Sequence, residues 1–227
     1  MKEARSFHRI PLFRHLRASE LERMLAEAKI LPYEKGQTLF RQGARADAVW
    51  VVLEGWVHLV RASSSANGER AVVLFTITSR EVFCGVSAIE PGTYTSSGIA
   101  GTRSRVVRIP AAAFNETLAS QPRFACDALH LCAGRIRHMA EQYGTMAEPV
   151  LQRILRMILR LRGQFGATIP ITHRELAQMS WTTTESAIRT VLYLKQLGAV
   201  GGKRGQLTVL RPALLGQLLR APAVRRV

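Results

Sequence analysis

The residues best placed to do chemistry stand close together in Ile171-Thr-His-Arg-Glu-Leu-Ala-Gln-Met-Ser-Trp-Thr-Thr-Thr-Glu-Ser-Ala-Ile-Arg-Thr-Val-Leu192. The run mixes hydroxyls, cations and one carboxylate with apolar residues at helical spacing. It reads as two short amphipathic helices around a tight corner. The first begins after Thr172, a capable N-cap, and turns Leu176, Ala177 and Met179 inward. A polar corner spans Ser180 to Thr183. The second opens on threonines and is expected to bury Ala187, Ile188, Val191 and Leu192. A connection this short forces a steep crossing, which is a helix-turn-helix. Its second helix presents an N-terminal half able to enter a DNA major groove.

The charge agrees. The chain of 227 residues carries 32 Lys and Arg against 16 Asp and Glu, a formal net +16. From Pro149 to Val227 there are 13 Lys and Arg against 2 acidic residues, so +11 lies in the last 79. A basic segment coinciding with this motif points to double-stranded DNA as partner. No catalytic triad, metal motif or phosphate-cradling glycine loop is present, which argues against an enzyme. The three cysteines, Cys84, Cys126 and Cys132, form no CxxC pair and read as ordinary apolar residues. No apolar run reaches transmembrane length, and Met1–Arg17 lacks the continuous apolar centre of a signal peptide. No membrane association and a cytoplasmic location are expected.

The elements that must position this reader come earlier in the chain. Ser19–Lys29 reads as an amphipathic helix with Leu21, Met24, Leu25 and Ala28 on one side. Short apolar runs follow at 38–40, 48–53, 55–60, 71–77 and 104–109. Breaks fall at Gly36, Gly43, Gly55, Asn67-Gly68 and Pro91-Gly92, which together predict a β-sandwich or barrel. Asn67-Gly68 suits a hairpin turn. Pro110 ends the β region, a short helix covers Phe114–Leu118, and Pro122 opens a long one. There Leu129, Cys132, Ile136, Met139, Tyr143, Met146 and Val150 recur at alternating spacings of 3 and 4. That is a heptad seam suited to pairing with a second copy of the chain, although the same stripe could pack on its own β region. Glu148-Pro149 breaks the helix. A new helix follows at Val150–Gln164, then a short strand at Thr168–Ile171, the helix-turn-helix and a hairpin arm at Lys203–Leu210. Ala221–Val227 reads as a basic tail. The expected domains are a sensor β-roll at 1–121, a dimerisation helix and hinge at 122–148, and a winged helix-turn-helix at 149–227, an α+β chain.

The run Tyr33–Val57, with Gly36, Leu39-Phe40, Gly43, Val51-Val-Leu53 and Gly55, resembles the opening of a cyclic-nucleotide-binding-like β-roll. With the heptad helix and winged helix-turn-helix, the resemblance to the CRP/FNR transcription regulators covers roughly residues 12–215. It implies a homodimer on a palindromic operator, with RNA polymerase among its partners. In that family a Glu and an Arg four positions apart contact base edges. Glu185 and Arg189 have this spacing, which places them on one helix face. A carboxylate accepts from the cytosine amino group, and an arginine donates twice to guanine. The alternative for Glu185 is a capping box with Thr182, three residues earlier. Thr184 stands where cyclic-AMP-responsive members carry another arginine. His173, Arg174, Thr182, Thr183 and Lys203 are expected at phosphates, where they set register.

The resemblance places the effector pocket at Phe83, Cys84, Gly85, Val86, Ser87, Ser96 and Ser97. Gly85 matches the family, but Val86 replaces the ribose-binding glutamate and Ser96 the phosphate-binding arginine. Loss of that arginine removes the phosphate's main charged partner, so cyclic AMP is not expected to bind. An FNR-type iron–sulfur cluster needs four cysteines and is excluded. Haem stays open, because Phe83-Cys84 resembles the cysteine ligand segment of carbon-monoxide-sensing relatives. Their nearby histidine is Val86 here. His8, His15, His58, His130 and His138 are read as structural or solvated.

Overall fold

The structure is a computed structural model. It describes residues 7–65, 68–90 and 92–220, and the chain divides into two compact units, Met1–Met139 and Ala140–Val227. Asn67, Pro91 and the predicted basic tail lie outside the described residues, as do the first six.

The first unit opens with a 3-10 turn at Pro11–Phe13 and helix α1, Ala18–Leu25. Helix α1 is shorter than Ser19–Lys29. Lys29 already belongs to strand β1, Lys29–Tyr33, where it pairs with Arg108. Pro32 within this strand cannot donate to a ladder. It fits here because β1 is an edge strand.

Strands β2 (Thr38–Phe40), β3 (Ala48–Glu54), β4 (Trp56–Ser65), β5 (Gly68–Thr78), β6 (Val82–Phe83), β7 (Ser97–Ala100) and β8 (Ser104–Pro110) complete the roll. Two antiparallel sheets form, in the orders β1-β8-β3-β6 and β2-β7-β4-β5. Strands β4 and β5 pair from Trp56 opposite Thr78 to Ser65 opposite Gly68. Gly55, at φ +78°, turns the chain from β3 into β4; a side chain there would meet the Arg103 carbonyl at 2.6 Å.

Aromatic rings fill one core. Phe40 stacks on Tyr94 at 4.0 Å, and Trp50 and Phe83 pack beside them, all four 2–8% exposed. The Trp50 indole donates to the Tyr94 hydroxyl at 3.1 Å, which in turn donates to the Ala48 carbonyl, so both polar edges are satisfied in the apolar core. A short helix α2, Gly85–Ile89, follows β6.

Helix α3 runs Ala111–Ser120 and α4 runs Pro122–Gly144. The inner face of α4 supplies a second core. Phe124 stacks on Phe13 at 6.1 Å and meets Phe114 edge-on at 5.3 Å, with Ala128 and Leu131 beyond. Asp127, 8% exposed, accepts from Arg14 and sits 2.7 Å from His15, fastening the N-terminal segment to α4.

In the second unit, Glu148 is extended (φ −73°, ψ 150°) and Pro149 caps α5, Val150–Phe165. Proline forces its predecessor out of helical geometry, so a new helix must start there. Arg156 grips Glu148 with two hydrogen bonds of 2.8 Å. Helix α5 buries Ile154, Leu155, Met157, Ile158 and Leu161. Strand β9 (Thr168–Ile169), helices α6 (His173–Met179) and α7 (Thr184–Gln196), and strands β10 (Val200–Gly201) and β11 (Leu207–Val209) follow. The sheet order β10-β11-β9 makes the hairpin arm a wing. A further helix, α8 (Pro212–Arg220), buries Leu215 and packs on α5. Sequence reasoning did not anticipate it.

Candidate nucleic-acid interface

Thr172 begins the reading unit. Its hydroxyl accepts from the Glu175 amide at 3.2 Å, and Glu175 accepts from the Thr172 amide at 2.7 Å, a complete capping box. Leu176, Ala177 and Met179 are buried as expected. Helix α6 stops because Trp181 turns to φ +53° and lets the Thr182 amide return to the Ala177 carbonyl at 3.0 Å. This is a Schellman stop with tryptophan where glycine is usual. Arg153 of α5 donates to the Trp181 carbonyl at 2.7 Å and fixes the corner.

Thr183, not Thr182, caps α7. Its hydroxyl accepts from the Ser186 amide at 3.2 Å. The capping box between Thr182 and Glu185 therefore does not form. Glu185 is exposed in the first turn, and its carboxyl is held below the usual range. Its own backbone N–H is the main cause, followed by the Thr183 hydroxyl, with the Arg189 charge adding a smaller attraction. Arg189 is also exposed and donates to the Ser186 hydroxyl at 3.4 Å.

The inward face of α7 differs from expectation. Ala187, Val191 and Leu194 are buried, whereas Ile188 is 36% exposed and Leu192 52%. Leu194 takes the inward place because α7 needs only a narrow apolar stripe against α6 and α5. Beside α7 lies a groove of about 530 Å³. It is lined by Thr172, His173 and Arg174 at the start of α6, by Thr184, Ile188 and Lys195 of α7, and by Lys203 and Arg204 of the wing. His173, Arg174 and Lys203 line this groove, whereas Thr182 and Thr183 stand just before α7, and Glu185 and Arg189 are exposed on it.

The seam residues are solvent-facing. Leu129 is 68% exposed, Ile136 67%, Met139 50%, Tyr143 76% and Met146 40%, while Cys132 is half-buried. Leu129, Ile136 and Met139 therefore do not pack on the β region of their own unit. The face that does pack carries Arg135, which sequence reasoning passed over. Its guanidinium lies 4.8 Å from the Phe75 ring centre and donates to the Val82 carbonyl at 3.0 Å. His138 meets the same ring at 5.4 Å. Periodicity could have placed Arg135 on the inner face, since it lies seven residues after Ala128.

The pocket residues are scattered in their environments. Phe83 belongs to the aromatic core. Cys84, at φ +62°, precedes α2, and burial pushes its thiol up to about 12. Gly85 and Ser87 are half-buried on α2. Val86 lies on α2 too, and its side chain falls outside the described residues. Ser96 is buried, and Ser97 accepts from the Gln42 amide at 2.9 Å. The arginine that reaches this segment is Arg61, donating to the Thr95 carbonyl at 3.0 Å. His58 is buried 3.1 Å from the Thr76 hydroxyl, His8 is half-buried, and His130 is exposed. Among the described residues no group of three or more His, Cys, Asp or Glu could hold a metal, and no helix is long and apolar enough to cross a membrane.

Residues 30–121 match the cyclic nucleotide-binding domain and residues 152–218 the Crp-like helix-turn-helix domain. The chain belongs to the CRP/FNR family of transcription regulators. It is 26% identical over 210 residues to the cyclic AMP receptor protein of Thermus thermophilus, covering 92% of this chain and 96% of that one. It is 23% identical over 220 residues to the global nitrogen regulator of Synechococcus elongatus, covering 92% and 95%. The structure of FixK2 from Bradyrhizobium japonicum superposes with a TM-score of 0.75 at 16% identity, over 86% of this chain and 99% of that one, so its fold is shared. A CRP/FNR regulator carrying this helix-turn-helix is a DNA-binding protein.

The half-buried Cys84 thiol, whose ionisation is opposed by desolvation, leads to a labelling prediction. At pH 8 an alkylating reagent modifies exposed Cys126 readily and Cys84 only after unfolding, because the thiolate is the nucleophile. Peptide mass spectrometry with and without denaturant reads this directly; equal native labelling of both contradicts it.

Proposed function

We propose that the protein is a homodimer that reads a palindromic operator through α7 of each subunit. The observation that carries this is the exposed pair Glu185 and Arg189, held on one face of α7 beside a basic groove. Arg189 donates to guanine, Glu185 accepts from cytosine, and Thr184 stands at the edge of the same face. His173, Arg174, Thr182, Thr183 and Lys203 hold phosphates and set the register. A two-fold dimer places its half-sites about one helical turn apart.

The exposed seam on α4 supports the dimer. Large apolar side chains recurring at heptad spacing gain about 1.5–3 kcal/mol each when fully covered. A second copy of the same helix covers them with matching knobs and holes.

The effector site does not fit a cyclic nucleotide. Ser96 offers no charge to a phosphate, and Arg61 is engaged on the Thr95 carbonyl rather than carried by the segment itself. The protein therefore works without cyclic AMP. Relatives of similar closeness are named for cyclic AMP and for nitrogen, so family membership leaves the input unassigned. A true effector, whatever its chemistry, must bind more tightly when operator DNA is present.

Three measurements bear on this reading. Arg189→Ala costs about 1–3 kcal/mol of operator affinity and relaxes one base position in a competition assay; a uniform loss on all sequences would count against the docking. Ile136→Glu yields a monomer in sedimentation equilibrium, where the parent sediments at twice 25.2 kDa. Calorimetry with cyclic AMP shows no heat of binding, and micromolar affinity through the Thr95–Ser97 segment would overturn the effector assignment.

A further inference from the structure

The apolar residues Ile188 and Leu192 were expected inside and stand outside, 36% and 52% exposed on the helix that carries Glu185 and Arg189. At 100° per residue, Ile188, Leu192, Glu185 and Arg189 fall in that order within an arc of about 100°. The outward face of α7 is therefore half polar and half apolar. Ala187, Val191 and Leu194 already satisfy the packing of α7 on its own unit. Ile188 lines the groove, whose cations are Arg174 beside His173, Lys195 on α7, and Lys203 and Arg204 on the wing. A polyanion fits that rim better than an apolar protein surface does.

We infer that Ile188 and Leu192 read thymine, taking its 5-methyl group in the major groove beside the guanine contacted by Arg189. The inference rests on the DNA-reading face proposed above and names one more base class that the face selects. The major-groove edge of a thymine shows one acceptor and one methyl, and only the methyl has affinity for an aliphatic side chain. Ile188 lies about one residue's rotation from Arg189 around α7, so neighbouring bases fall to the two side chains. Each half-site then carries thymine next to a guanine, on the wing side of it.

The test uses the full chain and a sequence selected from random duplex DNA. Replacing each thymine of the selected site by deoxyuridine removes the methyl and nothing else. At the thymine beside the guanine, the wild-type protein loses about fourfold in affinity, the worth of one methyl taken from water. The double variant Ile188→Ala, Leu192→Ala binds the thymine and deoxyuridine sites equally while still discriminating at the guanine read by Arg189, which shows that it folds; continued discrimination against deoxyuridine by this variant overturns the inference. An enriched site without thymine beside guanine, or one indifferent to deoxyuridine at every position, overturns the inference and leaves DNA reading intact. Failure to enrich any sequence overturns the DNA-reading proposal itself and this inference with it.

Discussion

Helix α4 has two apolar faces and one β-roll to lay them on. Phe124 and Ala128 go into the core, and Leu131 packs against it. Leu129 and Ile136 do not, nor does Met139, which is 50% exposed. A single chain cannot satisfy both sides of a 23-residue helix with one sheet pair. The outward residues recur at heptad spacing, whereas a chance scatter of surface leucines would not. That is why covering this stripe, rather than filling the roll, is the demand on which the proposed assembly depends. Tryptophan, phenylalanine and tyrosine pack the interior between the sheets.

The reading unit solves the opposite problem. It must hold a polar helix rigidly while leaving most of its surface bare. Two caps and one corner do this. Thr172 and Glu175 start α6, Thr183 starts α7, and Trp181 makes the turn between them. A bulky side chain at positive φ costs about 1–2 kcal/mol. The Arg153 hydrogen bond to the Trp181 carbonyl helps offset it by tying the corner to α5. With the corner fixed, α7 buries only Ala187, Val191 and Leu194 and leaves Glu185, Ile188, Arg189 and Leu192 exposed.

Much of this was legible in the sequence where one physical rule acts alone. Proline before a helix predicted the break at Glu148-Pro149, and the capping pattern located Thr172. Heptad spacing found the stripe on α4. The failures came where two rules compete. Ile188 and Leu192 share the period of Ala187 and Val191, and periodicity cannot say how wide a buried stripe is. Thr182, Thr183 and Thr184 are all good caps, and only the backbone selects Thr183. Helix α8 lacks a polar N-cap signal, because its start at Pro212 follows Arg211. The effector segment was legible only as a departure. Val86 and Ser96 say what is missing, and no residue type can announce a ligand by absence.

What the outward stripe of α7 adds is a difference in kind between its contacts. The phosphate contacts proposed for His173, Arg174 and Lys203 would weaken with salt, because they would release counterions. A methyl held by Ile188 would not, since its gain comes from apolar surface leaving water. Selectivity for thymine should therefore persist at salt concentrations that strip away most of the affinity. A reader built only from Glu185, Arg189 and surrounding cations would instead lose more of its discrimination together with its binding.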